Sequence, residues 1–518
     1  MKSSHRKIWL ITALWLAGCG ATDAPTPQAD GWGGADGAAS DGAAADAEPG
    51  DSLTTEDDAG SGPDAGVADA AGIGGSEDAL DSSDSSGTSG TPDSSGTSDS
   101  SDTSPPSDAP ARYPGGVVHS PVTAAVAKQL KTIWGNDDTL KPDVFMKVGA
   151  SSTVSSKTLY CFAGDKVALD THWPLKPTLD FFLNGDAAGK TPFDRKTLAA
   201  ISGKTAKWAM SGSPSPVSKE FTALSPSMAI VHYGTNDMGM GSTYLTAMYP
   251  YYGAMRSMLT WMTTSGVVPI LTGISPRKDS AKANRWVATY NALIRGLAQR
   301  YQVPFIDLWE ATKGLPKHGM ASDGLHLNGY PGGACQLTPE GLKYGYNVRN
   351  LIVLQALDRL RSVLVLNKPG LDPDQAPDQG DGSAAAPWQI AALPFADNRD
   401  TAVDGAPGID VYTGCGSDAD ESGPEVWYRL VLTEDTALRA VVVDEAGVDV
   451  DVHLLDSSAS AAGCLARGHR AVSGTVKAGV YYLTVDSFVS KGKAAAGDYA
   501  LVVVRCDVGD PDCAKKLN

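Results

Sequence analysis

Three short segments of this chain hold the residue types that acyl transfer needs. The first is Gly149-Ala150-Ser151-Ser152, at the end of the apolar run D-V-F-M-K-V that starts at Asp143. Glycine allows a sharp backbone turn there, so the run offers a hydroxyl at the carboxyl end of a strand. The second is Gly234-Thr235-Asn236-Asp237, directly after M-A-I-V-H-Y. The third is Asp323-Gly324-Leu325-His326. A serine hydroxyl is a weak nucleophile until an adjacent base takes its proton. Imidazole suits that task, and a carboxylate on its other ring nitrogen sets the tautomer and stabilises the imidazolium. Asp323 and His326, three residues apart, can meet on one loop. The oxyanion formed on attack needs aimed donors, each typically about 2.7–4 kcal/mol of barrier. The Asn236 amide, the Ser151 backbone N–H and the Gly203 backbone N–H in I-S-G-K-T-A are the candidates. Ser152 is the competing nucleophile; its other role is hydrogen bonding in the turn.

Each segment needs an element to hold it. Val144–Val148, Leu179–Leu183, Met228–Tyr233, Val267–Thr272 and Pro304–Leu308 read as strands. Val122–Ile133, Tyr244–Thr264, Ala281–Tyr301 and Pro339–Val365 read as helices, the last with Thr338 as its N-cap. Long helices between short apolar strands predict a parallel sheet covered on both faces, with active residues at the carboxyl strand ends.

The three segments in this order resemble the blocks of the SGNH, or GDSL-type, hydrolases, over roughly residues 113–366. The resemblance implies a flavodoxin-like three-layer α/β/α fold and ester hydrolysis without metal or other cofactor. It implies Ser151 as nucleophile, Gly203 and Asn236 as oxyanion donors beside the Ser151 amide, and Asp323 and His326 as the remaining pair. Gly212 competes with Gly203. One departure stands out: the family's first block reads G-D-S, where this chain has Ala150, so an acid that helps order the loop is missing. His232 reads as a satisfied buried histidine, and Asp237 as the organiser of its turn. His172 and Trp173 line a substrate cleft or pack a loop. No His or Cys spacing predicts zinc.

Lys2, His5, Arg6 and Lys7 precede the apolar run Ile8 to Ala17, which is too short to span a bilayer comfortably. The run ends in Leu16-Ala17-Gly18-Cys19, which resembles the lipobox of bacterial lipoproteins: residues 1–18 would be removed and Cys19 lipidated. Gly20, where an Asp would favour inner-membrane retention in enteric bacteria, implies an outer-membrane or cell-surface protein. The net charge of −18 is concentrated between Gly20 and Ala111, which hold 20 Asp and Glu and no Lys or Arg. Such an acidic chain argues against nucleic-acid binding. Residues 19–112 read as a disordered acidic linker reaching about 50–60 Å.

After a second linker at 367–386, residues 387–518 change to period two. V-W-Y-R-L-V-L, L-R-A-V-V-V, V-D-V-D-V-H-L-L and Y-Y-L-T-V-D predict an all-β antiparallel sandwich. S-G-P-E-V-W-Y and A-G-V-Y-Y-L-T-V-D resemble the bacterial pre-peptidase C-terminal domain, a binding rather than catalytic module. Asp449, Asp451 and His453 share one face, read as solvated. Six cysteines follow Cys19 and allow 15 pairings. Cys161 lies ten residues after Ser151 and Cys335 nine after His326, so those two are expected to pair and pin both loops. Cys415 with Cys464 and Cys506 with Cys513 are the other candidates. Together these readings point to a surface-anchored esterase acting on short acyl or acetyl esters, including those of a polysaccharide. The alternatives are a lipase or lysophospholipase of the same fold, and a catalytically impaired adhesion or glycan-binding lipoprotein.

Overall fold

The computed structural model describes residues 109–517 apart from residue 418. The signal segment, Cys19 and nearly all of the acidic linker lie outside the described residues. Four strands, β1 (Lys141–Gly149), β2 (Pro226–His232), β3 (Val268–Thr272) and β4 (Phe305–Ile306), form a parallel sheet in the order β1-β2-β3-β4. Among the described residues the α-helices in chain order are α1 (Ala124–Trp134), α2 (Ser151–Val154), α3 (Lys176–Leu183), α4 (Ala206–Ala209), α5 (Pro216–Leu224), α6 (Tyr244–Thr264), α7 (Ala281–Tyr301), α8 (Leu308–Thr312), α9 (Gly345–Leu364) and α10 (Thr401–Asp404). Helices α1 and α3 pack with α9, while α6 packs with α7 and α4. Ser and Thr side chains start most of the long helices: Thr123 accepts from Val126 N, Thr243 from Thr246 N, and Ser280 from Ala283 N.

Two expectations fail locally. Leu179–Leu183 is not a strand but the end of α3. Pro177 suits the first helical turn, and Leu179 and Phe182, three apart, bury one helical face. The long final helix starts at Gly345, not Pro339; Thr338 instead caps a tight turn by accepting from Gly341 N at 3.2 Å. The first amide of α9 is capped from outside, by Asn328 Oδ1 at 2.7 Å.

The C-terminal strands are β5 (Trp388–Ile390), β6 (Phe395–Asp400), β7 (Ala406–Pro407), β8 (Pro424–Leu432), β9 (Thr436–Asp444), β10 (Val450–Leu455), β11 (Cys464–Gly468), β12 (Ala471–Val476), β13 (Gly479–Ser487), β14 (Val489–Ser490), β15 (Lys493–Ala494) and β16 (Asp498–Arg505). One sheet runs β11-β10-β13-β8-β5 with β7 also on β8; the other runs β12-β9-β16-β6. All pairs are antiparallel but one: β5 lies parallel to β8. Three disulfides form among the described residues: the expected Cys161–Cys335 and the two candidate pairs Cys415–Cys464 and Cys506–Cys513.

Strands β9 and β16 are apolar on both faces, and each face has its own use. Leu438, Ala440, Val442, Tyr499, Leu501 and Val503 fill the sandwich, while Val441, Val443, Ala500, Val502 and Val504 join the core of the α/β part. Helix α7 is therefore buried nearly all round, with every residue from Thr289 to Ala298 inside. Around this seam Arg256 and Arg300 both pair with Asp498 at 2.7 Å, and Arg295 donates to Pro394 O at 2.7 Å. Segment 367–386 is fastened too: Asp374 accepts from Ala124 N and Gln375 from Arg112 N. A Cβ on Gly296 would lie 2.7 Å from Ala396 Cβ across the seam. Gly296→Val is expected to lower stability by about 1–3 kcal/mol through overpacking, read as a fall in melting temperature. Gly253→Ala, on the open face of α6, is expected to hold or raise it.

The face of Asp451 and His453 is not solvated. Register places Glu425 and Asp451 on either side of Asp486, and Trp427 and His453 on either side of Thr484. Tyr412 covers them, stacked on His453 at 3.6 Å, with its hydroxyl 2.5 Å from Glu425, 2.9 Å from Thr484 and 3.0 Å from Asp486. Glu421, Glu425, Asp451 and Asp486 are all buried. Burial and carboxyl neighbours push Asp486 and Glu421 well above the ordinary carboxyl range, so protons are held there in the fold. The unfolded chain releases those protons near pH 4–4.5. The stabilisation they bring is thus complete in acid and is lost as pH rises through the raised values. Melting temperature should fall between pH 5.5 and 8.5, and Glu421→Gln should shrink that fall; an equal fall in the variant would refute the assignment.

Candidate active site

The site is built where β1 and β2 end side by side, Gly149 paired with His232. Their approach tolerates no side chain at 149: a Cβ there would lie 2.1 Å from Thr153 Oγ1 and 2.8 Å from the His232 carbonyl. The chain turns at once into α2, whose first residue is Ser151. The Asp323–His326 loop comes from the far end of the domain and meets it. Ser151 Oγ lies 2.9 Å from His326 Nε2, and His326 Nδ1 lies 2.7 Å from Asp323 Oδ2. Asp323 Oδ1 accepts from the backbone amides of Leu325 and His326, both at 3.0 Å. Those amides and the imidazole, the His326 amide foremost, hold the Asp323 carboxyl low, at about 2.

Ser151 rather than Ser152 faces the imidazole. Ser152 instead offers its carbonyl to the Thr158 hydroxyl at 2.5 Å and to Arg349. Asn236 Nδ2 donates to Lys204 O at 3.0 Å, which ties the G-T-N-D turn to the loop of Gly203. Gly203 has φ +77°, a conformation glycine takes at no steric cost. The bridge between Gly149 and Ala200 sets that loop beside the end of β1. Gly212 lies in an exposed turn before Pro214 and is likewise at positive φ, +84°; the bridge to the end of β1 is what favours the Gly203 loop. Asp237 organises its turn as expected: it accepts from Ala206 N at 2.8 Å and Gly234 N at 2.9 Å, and burial pushes its carboxyl up to about 6. His232 departs from expectation. It is buried, but neither ring nitrogen has a partner among the described residues, and burial keeps it neutral. Trp173 is 64% exposed on a short 3-10 turn, so it packs no loop core.

The small hollow beside Ser151 is lined by Ala150, Ser152 and the run from His232 to Asp237, with Tyr233 its one aromatic residue and no Leu, Ile, Val, Phe or Met. Arg277 braces its rim: the guanidinium holds Asp279 at 2.8 Å and donates to Thr235 O at 3.0 Å, while Lys278 N donates to Gly324 O at 2.8 Å. Sequence reasoning passed over this residue, and also over Asn347, Arg349 and Asn350. The signal for the latter was a polar N-V-R-N cluster directly before the apolar run L-I-V-L.

Asp323 selects the tautomer that leaves Nε2 free to accept from Ser151. Asp323→Asn should therefore lower kcat by about 10⁴-fold, the size of a tautomer error in another triad, with KM little changed. Because the carboxyl is held low, acidification from pH 7 to 4 leaves it charged, and its contact with His326 is lost only as pH falls toward 2.

Residues 179–330 match the GDSL-like lipase/acylhydrolase family. The match takes in Asn236, Asp323 and His326 and begins after Ser151. No curated protein matches the chain. Among solved structures, the chain is similar to a carbohydrate esterase family 3 protein from Talaromyces cellulolyticus, at 17% identity over 41% of this chain and 97% of that one, TM-score 0.29. It is similar to a two-domain esterase active on acetylated mannans, at 14% identity over 70% of this chain and 91% of that one, TM-score 0.28. It is also similar to the pre-peptidase C-terminal domain of a collagenase from Bacillus anthracis, at 17% identity over 25% of this chain and 99% of that one, TM-score 0.16.

Proposed function

We propose that the chain, whose residues 179–330 match the GDSL-like lipase/acylhydrolase family, is a serine esterase for short acyl esters in which Ser151 is the nucleophile. The observation that carries this is the unbroken hydrogen-bond line from Ser151 Oγ through His326 to Asp323. His326 Nε2 takes the Ser151 proton as Oγ attacks the ester carbonyl. The oxyanion is met by the Ser151 amide, the Gly203 amide and the second N–H of Asn236 Nδ2. Collapse of the tetrahedral intermediate expels the alcohol, protonated by His326. Water, deprotonated by the same imidazole, then releases the acid and restores Ser151. The charged Asp323 stabilises the imidazolium in both half-reactions.

The hollow beside Ser151 is small and holds no aliphatic side chain of Leu, Ile or Val, which supports a short acyl group such as acetyl over a long chain. A polysaccharide ester as substrate is part of this reading, with the C-terminal sandwich as its binding module. A lipid anchor at Cys19, with residues 20–112 as its tether at the outer membrane or cell surface, rests on the sequence alone.

The test is hydrolysis of nitrophenyl acetate, butyrate and octanoate by the purified protein and by Ser151→Ala. The expected result is kcat/KM falling with chain length, loss of at least about 10⁴-fold in the variant, and no loss in excess chelator. Equal rates for the two proteins would end the esterase reading; a preference for octanoate would end the short-acyl part alone.

A further inference from the structure

The first block lacks its usual acid, because Ala150 has no group to order the loop. Yet the turn after it is held firmly, and the holder comes from another element. Arg349, on α9, is 1% exposed. Its Nη1 donates to the Ser152 carbonyl, the residue next to the nucleophile, and to Thr158 Oγ1 at 3.1 Å. Thr158 in turn donates to the same carbonyl at 2.5 Å. No carboxylate forms an ion pair with Arg349 among the described residues, and its Nε has no partner there. Burial lowers its pKa to about 10.

A buried cation without a counter-charge is costly. Loop packing alone does not require it here, because Thr158 already satisfies the Ser152 carbonyl. The neighbouring side chains share the task of registering the loops. Asn350 accepts from Leu159 N at 2.9 Å and donates to Lys157 O at 2.9 Å and Ala334 O at 3.0 Å, thus bridging both sides of the Cys161–Cys335 disulfide. Asn347 holds Tyr330 N, Gly333 O and Gln336 O on the histidine side.

We propose that Arg349 is a positioning residue for Ser151: it locks the Ser152 peptide from below, standing in for the missing acid at 150, and sets positive charge under the turn where the oxyanion forms. This rests on the esterase reading above. A locked peptide keeps the Ser151 amide and hydroxyl aimed together, and the charge favours the attacking state over the bound ester. The effect therefore belongs in kcat and in serine reactivity, with little change in KM.

The test compares Arg349→Met, Arg349→Lys and Thr158→Val with the unaltered protein, reading kcat, KM, melting temperature and the rate of Ser151 labelling by a fluorophosphonate. The expected result for Arg349→Met is about a 100-fold loss in kcat and in labelling rate, the scale of a small misplacement at a reacting centre. KM should stay within about twofold and the melting temperature should be unchanged or higher. Arg349→Lys, which keeps the charge and loses the fork, should fall between, and Thr158→Val should cost less than Arg349→Met. Arg349→Met with kcat within about threefold of the unaltered protein overturns the proposal. So does a joint collapse of kcat, KM and melting temperature that lysine does not relieve, since that marks a merely structural role. If the unaltered protein hydrolyses no ester through Ser151, the esterase reading fails first, and the Ser151→Ala control shows it.

Discussion

Everything at the site depends on holding two loops that no strand joins. Ser151 and His326 are 175 residues apart in the chain, and a hydrogen bond of 2.9 Å must form between them. The sheet positions only one partner: β1 ends at Gly149 and delivers Ser151. The other is placed by the start of α9, where Asn347, Arg349 and Asn350 reach into both loops, with the Cys161–Cys335 disulfide beside them. Buried amide and guanidinium groups are directional, and an unmade hydrogen bond inside a protein is expensive. That penalty leaves a single geometry for the loops to share.

A similar economy joins the two halves of the folded unit. Strands β9 and β16 use alternate residues for two different cores, so the sandwich and the α/β part share one sheet as a common wall. Helix α7 lies against that wall, and Gly296 allows its close approach to Ala396. Around the wall, Asp498 takes two arginines and segment 367–386 is pinned by side-chain acceptors. Burial of apolar faces supplies the attraction, and the rim charges set the register of the contact.

On its other sheet the sandwich carries the opposite arrangement, a buried cluster of carboxyl groups under Tyr412. Adjacent like charges cannot all ionise in low dielectric, so the cluster holds protons that exposed carboxyls would release. Period-two reasoning placed Asp451 and His453 on one face correctly. It misread that face as wet because the covering loop, held by Cys415–Cys464, is not visible in a strand pattern.

The sequence by itself determined the helices α6 and α7 to their end residues and the four strands of the sheet, because each is a local pattern: a capped amphipathic run or a short apolar run before a turn; the chemistry-bearing residues and the cysteine pairs it offered only as candidates. It missed Leu179–Leu183, where a five-residue apolar run fits either period and Pro177 and buried spacing chose the helix. Only the tertiary structure decided which serine meets the imidazole, that His232 has no hydrogen-bond partner among the described residues, that β9 and β16 serve two cores, and that Arg349 reaches the Ser152 carbonyl. Each of those depends on which surface lies opposite a residue, and that is set by the packing of segments far apart in the chain, where sequence spacing carries no information about distance.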